Sequence, residues 1–117
     1  MATIKRFEDL EIWQLARELV NLIYDDFRSC KDYNLRDQVI SAGLSIKLNI
    51  AEGFGRDSDK EFKQFLNISR GSCDEVKSVY YTAEDQKYIT ADVAAERRDR
   101  ISVLHIKITN FMFYLKK

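Results

Sequence analysis

The chain has 117 residues, and its 19 Lys and Arg residues balance 19 Asp and Glu residues, so the formal net charge is zero. Bulk positive charge is therefore excluded as a source of attraction to nucleic acid, which would need a local arrangement of cations. The length fits one domain over 1–117 with a sizeable core. Because the chain has no proline and only four glycines, we expect long helices and no sheet.

Two cysteines, Cys30 and Cys73, are too few and too far apart for a disulfide framework or a zinc site. The chain shows no leader of the secretory kind and no apolar run near the ~18 residues of a membrane span. We therefore expect a cytoplasmic protein with no membrane association.

The first predicted helix runs from Phe7 to about Cys30, because apolar residues recur there at spacings of three and four. Further apolar residues flank this stripe and widen it to about 200°, whereas a simple surface helix needs only ~100°. Three of them, Trp13, Val20 and Tyr24, have no obvious partner within one subunit.

The second predicted helix runs from Leu35 to Glu52, with Asn34 as its cap. It also carries two apolar faces, and the second face includes Leu44 and Leu48. Glycine inside a helix costs ~1 kcal/mol relative to alanine, so Gly43 predicts the close approach of a neighbouring backbone.

The turn after the second helix is predicted over Gly53 to Asp57, because Gly53 and Gly55 can adopt left-handed backbone conformations. Ser58 and Glu61 then form a capping-box pattern that begins the next helix. The segment Gly53-Phe-Gly-Arg56 follows a helix and lacks the ending of a nucleotide-binding loop, so a phosphate loop is not favoured. Instead we expect a structural tie at this end of the hairpin, formed by Asn49, Glu52, Gly53 and Arg56.

The third predicted helix, from Asp59 to Gln86, is the longest and carries a basic stripe on one flank. Asn67 and Asp74 lie among the cations, which also permits the interpretation of an ordinary solvated face. The four cations of the basic stripe are Lys60, Lys63, Arg70 and Lys77.

A fourth helix, capped by Thr90 or Asp92, is predicted from Asp92 to Leu115. Short connections between four helices indicate an all-α, antiparallel up-down-up-down four-helix bundle. Because several helices carry spare apolar surface, we expect a homo-oligomer. Its predicted interface comprises Trp13, Val20, Tyr24, Leu44 and Leu48.

No reaction is indicated by the residues. His105 is the only histidine, and no serine or cysteine can be paired with it from sequence, so it is interpreted as an ordinary helix-surface side chain. The Glu-x-x-His pattern of metal-binding bundles does not occur in the sequence. We therefore expect no enzyme activity, no metal, no cofactor and no small-molecule substrate.

Several short motifs together resemble the four-helix-bundle proteins encoded in intervening sequences of bacterial 23S ribosomal RNA genes. These motifs are Phe7-Glu-Asp-Leu-Glu-Ile-Trp13, Asp37-Gln-Val, Ser45-Ile46, Asn49-Ile-Ala-Glu-Gly53, Lys60-Glu-Phe, Arg70-Gly-Ser72 and Tyr88-Ile89. The resemblance covers about Phe7 to Ile89, and related bundles are accessory proteins of diversity-generating retroelements. It implies an antiparallel bundle in a ring of identical subunits, with five favoured, no established enzymatic activity and a nucleic-acid role. The chain departs from the family at Lys47, where many members have proline, and at Ile40 and Ser41, where they have a basic pair.

Two functional hypotheses follow. The first is an oligomeric protein that binds RNA or DNA through the basic stripe. The second is a protein interaction scaffold that binds no nucleic acid. Salt-dependent binding to structured RNA would separate them, because neutralised phosphates release counterions.

Overall fold

The computed structural model describes residues 4–115 and consists of helices joined by short connections. A single-turn 3-10 helix, Phe7–Asp9, precedes four α-helices. These are α1 (Glu11–Phe27), α2 (Tyr33–Phe54), α3 (Asp59–Asp85) and α4 (Ala91–Tyr114). No strand occurs between residues 4 and 115, which confirms the predicted all-α four-helix bundle.

Helices that follow each other in the chain pack against each other. The bundle closes where α1 packs against α4, and this is the smallest of the contacts between its α-helices. The helices enclose one core that contains buried residues from each of them, among them Phe27, Ile46, Leu66, Tyr80 and Ile108. The bundle measures 45 × 22 × 20 Å, so its length is set by its helices at about 1.5 Å per residue.

The first helix is shorter than predicted, because the segment from Phe7 to Cys30 does not form one helix. It breaks at Leu10, whose backbone is extended (ψ 127°) while its side chain is buried in the core. Leucine has no polar side-chain atom to cap α1, and the 3-10 turn with its Phe7–Trp13 ring contact leads into the helix instead. At the other end α1 stops at Phe27, three residues early.

Side-chain caps begin the other three helices. Asp32, not Asn34 as predicted, caps α2, because its carboxylate accepts a hydrogen bond from the Leu35 N–H at 3.1 Å. Ser58 Oγ accepts from the Glu61 N–H at 3.2 Å, so the serine bond of the predicted capping box is confirmed. Thr90 caps α4, and α4 starts one residue before the predicted Asp92.

The prediction of left-handed glycines between α2 and α3 is wrong. No glycine in the described chain has a positive φ, and Gly53 lies inside α2, with the turn following from Gly55 to Ser58. Gly53 is needed for space, because a Cβ there would lie 2.8 Å from both Phe62 Cδ1 and Phe65 Cβ. The neighbour of Gly43 is likewise a side chain and not a backbone, since a Cβ there would lie 2.6 Å from Ile23 Cδ1.

Candidate nucleic-acid interface

The basic stripe extends along α3 from the solvent-exposed Lys60 to the half-buried Lys77, and its C-terminal half lies against α4. Lys60 and Lys63 lie in the first turns of α3, and neither makes a hydrogen bond or ion pair within residues 4–115. Their ammonium groups are therefore available to a ligand.

The other two cations of the basic stripe reach across to α4. Arg70 Nη1 donates to Thr109 Oγ1 at 3.2 Å and Nη2 donates to Asn67 Oδ1 at 2.7 Å. Lys77 Nζ donates to Ser102 Oγ at 2.9 Å. All these acceptors are neutral, so the hydrogen bonds hold the two cations in place without cancelling their charge.

Several cations elsewhere in the protein pair with carboxylates, whereas within residues 4–115 the cations of the basic stripe, like Lys31, Lys47 and Lys87, do not. Arg56 pairs with Glu52 at 2.8 Å, Arg98 with Glu84 at 2.7 Å, and Lys107 with Glu11 at 3.4 Å. None of the four stripe cations pairs with a carboxylate in the described part of the chain. Asp74, the acid within the stripe, instead lies 3.7 Å from His105 of α4.

The predicted hairpin tie is brought together only in part. Glu52 and Arg56 form their ion pair across one helical turn, and the Arg56 guanidinium lies 4.8 Å from the centre of the Phe65 ring. Asn49 turns back along α2, where its amide donates to the carbonyl and hydroxyl oxygens of Ser45 at 2.8 and 3.1 Å. Asn49 therefore supports the α2/α3 contact rather than the hairpin end.

The contact between α2 and α3 contains small polar side chains that the sequence reading did not pair. Ser72 Oγ donates to Ser45 Oγ at 2.8 Å, and the buried Ser69 donates to the Ile46 carbonyl oxygen at 2.9 Å. The two hydrogen bonds satisfy the serine hydroxyls at the contact between α2 and α3.

The predicted interface residues lie on α1 and α2, and we call them together the apolar seam. Trp13, Val20 and Tyr24 lie at spacings of seven and four on α1, and Val20 packs toward Gly43 of α2. On α2, Leu44 is half-buried and Leu48 is 55% exposed, while Tyr24 is 40% exposed. Val20 is already buried within the subunit, so the accessible part of the apolar seam consists of the other four residues.

Sequence reasoning missed the largest buried polar cluster. Arg97 of α4 binds Asp26 of α1 through two hydrogen bonds, at 2.7 and 3.0 Å, and the Tyr80 hydroxyl donates to the same carboxylate at 2.7 Å. The side chains of Arg97 and Asp26 are only 16% and 10% exposed. The signal was available, because Arg97 lies on the core stripe of α4 between Ala94 and Ile101, and a charge at a core position implies a buried partner.

Two groups of this cluster, Tyr80 and Arg97, have raised pKa values. Burial, followed by the hydrogen bond to Asp26, raises the pKa of Tyr80 far above its usual range. The hydrogen bond to Asp26 likewise raises the pKa of Arg97. The cluster fixes three helices together at one end of the bundle and supplies no group poised for proton transfer at neutral pH.

Metal-binding chemistry finds no support in residues 4–115, where no three His, Cys, Asp or Glu side chains are grouped to hold an ion. None of the helices in the described part of the chain is long and apolar enough to cross a membrane.

Comparison with known proteins decides the family. The model of the family described as 23S rRNA-intervening sequence protein matches residues 8–110. The chain belongs to this family. The match confirms the resemblance seen in the sequence and extends it through most of α4. No curated protein matches the chain.

A solved structure has the same fold. It is the crystal structure of a protein of unknown function from the S23 ribosomal protein family of Bacteroides thetaiotaomicron VPI-5482. The two proteins are 21% identical with a TM-score of 0.75, over 86% of this 23S rRNA-intervening sequence protein and 94% of the other chain. At this identity the likeness shows a shared bundle fold.

Proposed function

We propose that this protein is a non-enzymatic, cytoplasmic homo-oligomer, with five subunits favoured, that binds structured RNA or DNA through its basic stripe. It acts on no small-molecule substrate and needs no cofactor. The observation that carries the proposal is the alignment of Lys60, Lys63, Arg70 and Lys77 along one flank of α3, where none of the four pairs with a carboxylate within residues 4–115.

The dimensions of the basic stripe suit a nucleic-acid backbone. From Lys60 to Lys77 the helix rises about 25 Å at 1.5 Å per residue, a length that spans about seven phosphates of one duplex strand. Four cations are a small footprint on a neutral chain. A closed oligomer repeats the basic stripe in every subunit, and a ligand that touches several copies gains effective concentration with each added contact.

The family description names a 23S rRNA intervening sequence, so RNA of that kind is the first ligand to test. Assembly is supported by the apolar seam, where Leu48 exposes more than half of its surface and Leu44, one turn away on α2, is half-buried. Contiguous apolar surface of this kind marks protein interfaces.

The RNA proposal is tested with a charge reversal at the unpaired end of the basic stripe. Lys60→Glu combined with Lys63→Glu should abolish binding to an RNA hairpin at ~50 mM salt, as measured by fluorescence anisotropy. The matched control is Lys31→Glu combined with Lys87→Glu, which changes the net charge equally at the opposite end of the bundle, where both lysines are exposed. If both double variants bind equally, the basic stripe is not the binding surface.

Assembly is tested on the apolar seam. Leu48→Glu should reduce the particle mass measured by light scattering, because it places a charge at the predicted interface. Thr82→Glu adds the same charge at an exposed position of α3 and should leave the mass unchanged. A parent protein that is monomeric at micromolar concentration contradicts the proposed oligomer.

A second function, an interaction scaffold without nucleic-acid binding, is favoured by a separate exposed apolar face on α4. Val103, Ile106 and Phe113 are 48%, 57% and 83% exposed there. An oligomer that forms but shows no salt-dependent binding to structured RNA gives precedence to the scaffold.

A further inference from the structure

The C-terminal half of the basic stripe faces a row of side chains on α4, and the two rows pair in antiparallel register. Arg70 lies opposite Thr109 at 3.2 Å and Lys77 lies opposite Ser102 at 2.9 Å, with hydrogen bonds closing both pairs. Between them His105 Nε2 lies 3.7 Å from Asp74 Oδ1. A shallow groove runs along this row and is lined by Asp74, Lys77, Ile101, Ser102, His105 and Ile106.

We propose that His105 is a phosphate-binding residue of this groove, where its protonated ring and Lys77 bind the phosphate backbone of RNA or DNA, with Arg70 beside the groove. The inference rests on the proposed function, which it deepens by making binding pH-dependent. Asp74 is then the counter-ion of His105 when no phosphate is bound.

The groups around His105 fit this role. On α3 two cations, Arg70 and Lys77, flank one acid, Asp74, whose side chain is 73% exposed and can turn toward solvent as a phosphate enters. The imidazole is 34% exposed, so one edge of the ring is open to a ligand. The Thr109 hydroxyl donates to the His105 carbonyl at 3.0 Å while it accepts from Arg70, so the arginine is held one helical turn from the histidine.

The charges of α1 do not compete for the ring. This helix packs against the other flank of α4, where Glu11 pairs with Lys107 at 3.4 Å and Glu18 lies 3.6 Å from Arg100. On α4 itself, Arg98 is paired with Glu84. Among the described residues, Asp74 is the only acid whose carboxylate lies within 4.0 Å of the His105 ring nitrogens.

The sign of the pH effect follows from the charge of the ring. The protonated histidine ring carries a positive charge and offers two N–H donors, whereas the neutral ring offers one. A phosphate favours that charged form, so affinity should rise as the pH falls from 8 to 5.5. An exposed ion pair between the protonated ring and a phosphate should raise the affinity about fivefold for each engaged subunit.

The experiment compares the full chain with His105→Gln, using fluorescence anisotropy with an RNA hairpin at pH 5.5 and pH 8.0 and the same salt concentration. The parent should bind about fivefold or more tightly at pH 5.5 than at pH 8.0. His105→Gln should bind like the parent at pH 8.0 and lose this gain. Equal circular-dichroism spectra and Tm values establish that the variant is folded.

Each outcome separates the two proposals. If the parent binds RNA and His105→Gln keeps the full pH dependence, the role of His105 is refuted while the proposed function stands. If the parent binds RNA at neither pH, the proposed function fails, and the role of His105 fails with it. As an independent check, Asp74→Asn should tighten binding at pH 8.0, because it removes the only acid of the groove.

Discussion

Substitution of Gly53 by alanine tests whether close packing of α2 on α3 sets the sequence at the hairpin. The added Cβ would lie 2.8 Å from Phe65 Cβ, an atom bonded directly to the α3 backbone, so relief requires the two helices to move apart. It would also lie 2.8 Å from Phe62 Cδ1, and the Phe62 ring is held by edge contacts to Phe54 and Phe111 at 6.0 and 5.6 Å.

Gly71 provides the matched control, because it also lies inside a helix but a Cβ there would meet no described atom within 4 Å. Gly71→Ala should stabilise the protein by up to ~1 kcal/mol through helix propensity. Gly53→Ala gains part of the same benefit but incurs an overpacking cost of about 1–3 kcal/mol, so it should be destabilised by ~1–2 kcal/mol. The two variants should then differ by about 2–3 kcal/mol, or roughly 8–12 °C in Tm.

Thermal and urea unfolding followed by circular dichroism measure this difference. All variants are compared at one protein concentration, because an oligomer links Tm to concentration. The reasoning is refuted if Gly53→Ala is as stable as Gly71→Ala, since the 2.8 Å approach would then be relieved without cost.

Three further predictions concern buried groups. Asp26→Asn should destabilise the protein by about 3 kcal/mol in urea unfolding, because it leaves Arg97 without its buried counter-charge, and an unchanged midpoint would contradict this. The raised pKa of Tyr80 makes its contribution to stability complete below about pH 10 and progressively lost as the pH rises further, so ultraviolet titration should find this phenol ionising only as the bundle unfolds. Burial, followed by the neighbouring Asp74 charge, raises the pKa of the Cys73 thiol to about 12. A disulfide reagent at pH 8 should therefore modify Cys73 only when the protein unfolds. Equal modification rates for Cys73 and the half-buried Cys30 in the native protein would contradict this.

Periodicity predicted the existence and order of the four helices because each must bury an apolar stripe. The helix boundaries were predicted less well where the local sequence preference and the packing of the core favour different end points. Asn34 and Asp32 are both good caps, and the choice of Asp32 adds two residues, about half a turn, to the start of α2. At Leu10 the side chain is buried in the core while the backbone is extended, and helical periodicity does not reveal such a break.

The candidate site shows the same division. Spacing alone placed the four cations of the basic stripe on one flank of α3, because a single helix fixes the relative directions of its side chains. It could not tell which of them would meet carboxylates, since ion pairs depend on the neighbouring helix. The register of α3 against α4 brings Arg70 to Thr109 and His105 to Asp74, across separations of 39 and 31 residues in the chain.

The sequence by itself determined the fold class, the basic stripe and the family, because helix periodicity and short motifs are local properties of the chain. Only the tertiary structure decided that Gly53 is required for space rather than for a left-handed turn. It alone decided that Asp26, Tyr80 and Arg97 share one buried cluster. The physical reason is that packing distances and buried charge partners depend on the relative register of helices, which is fixed only when all four helices close around a common core.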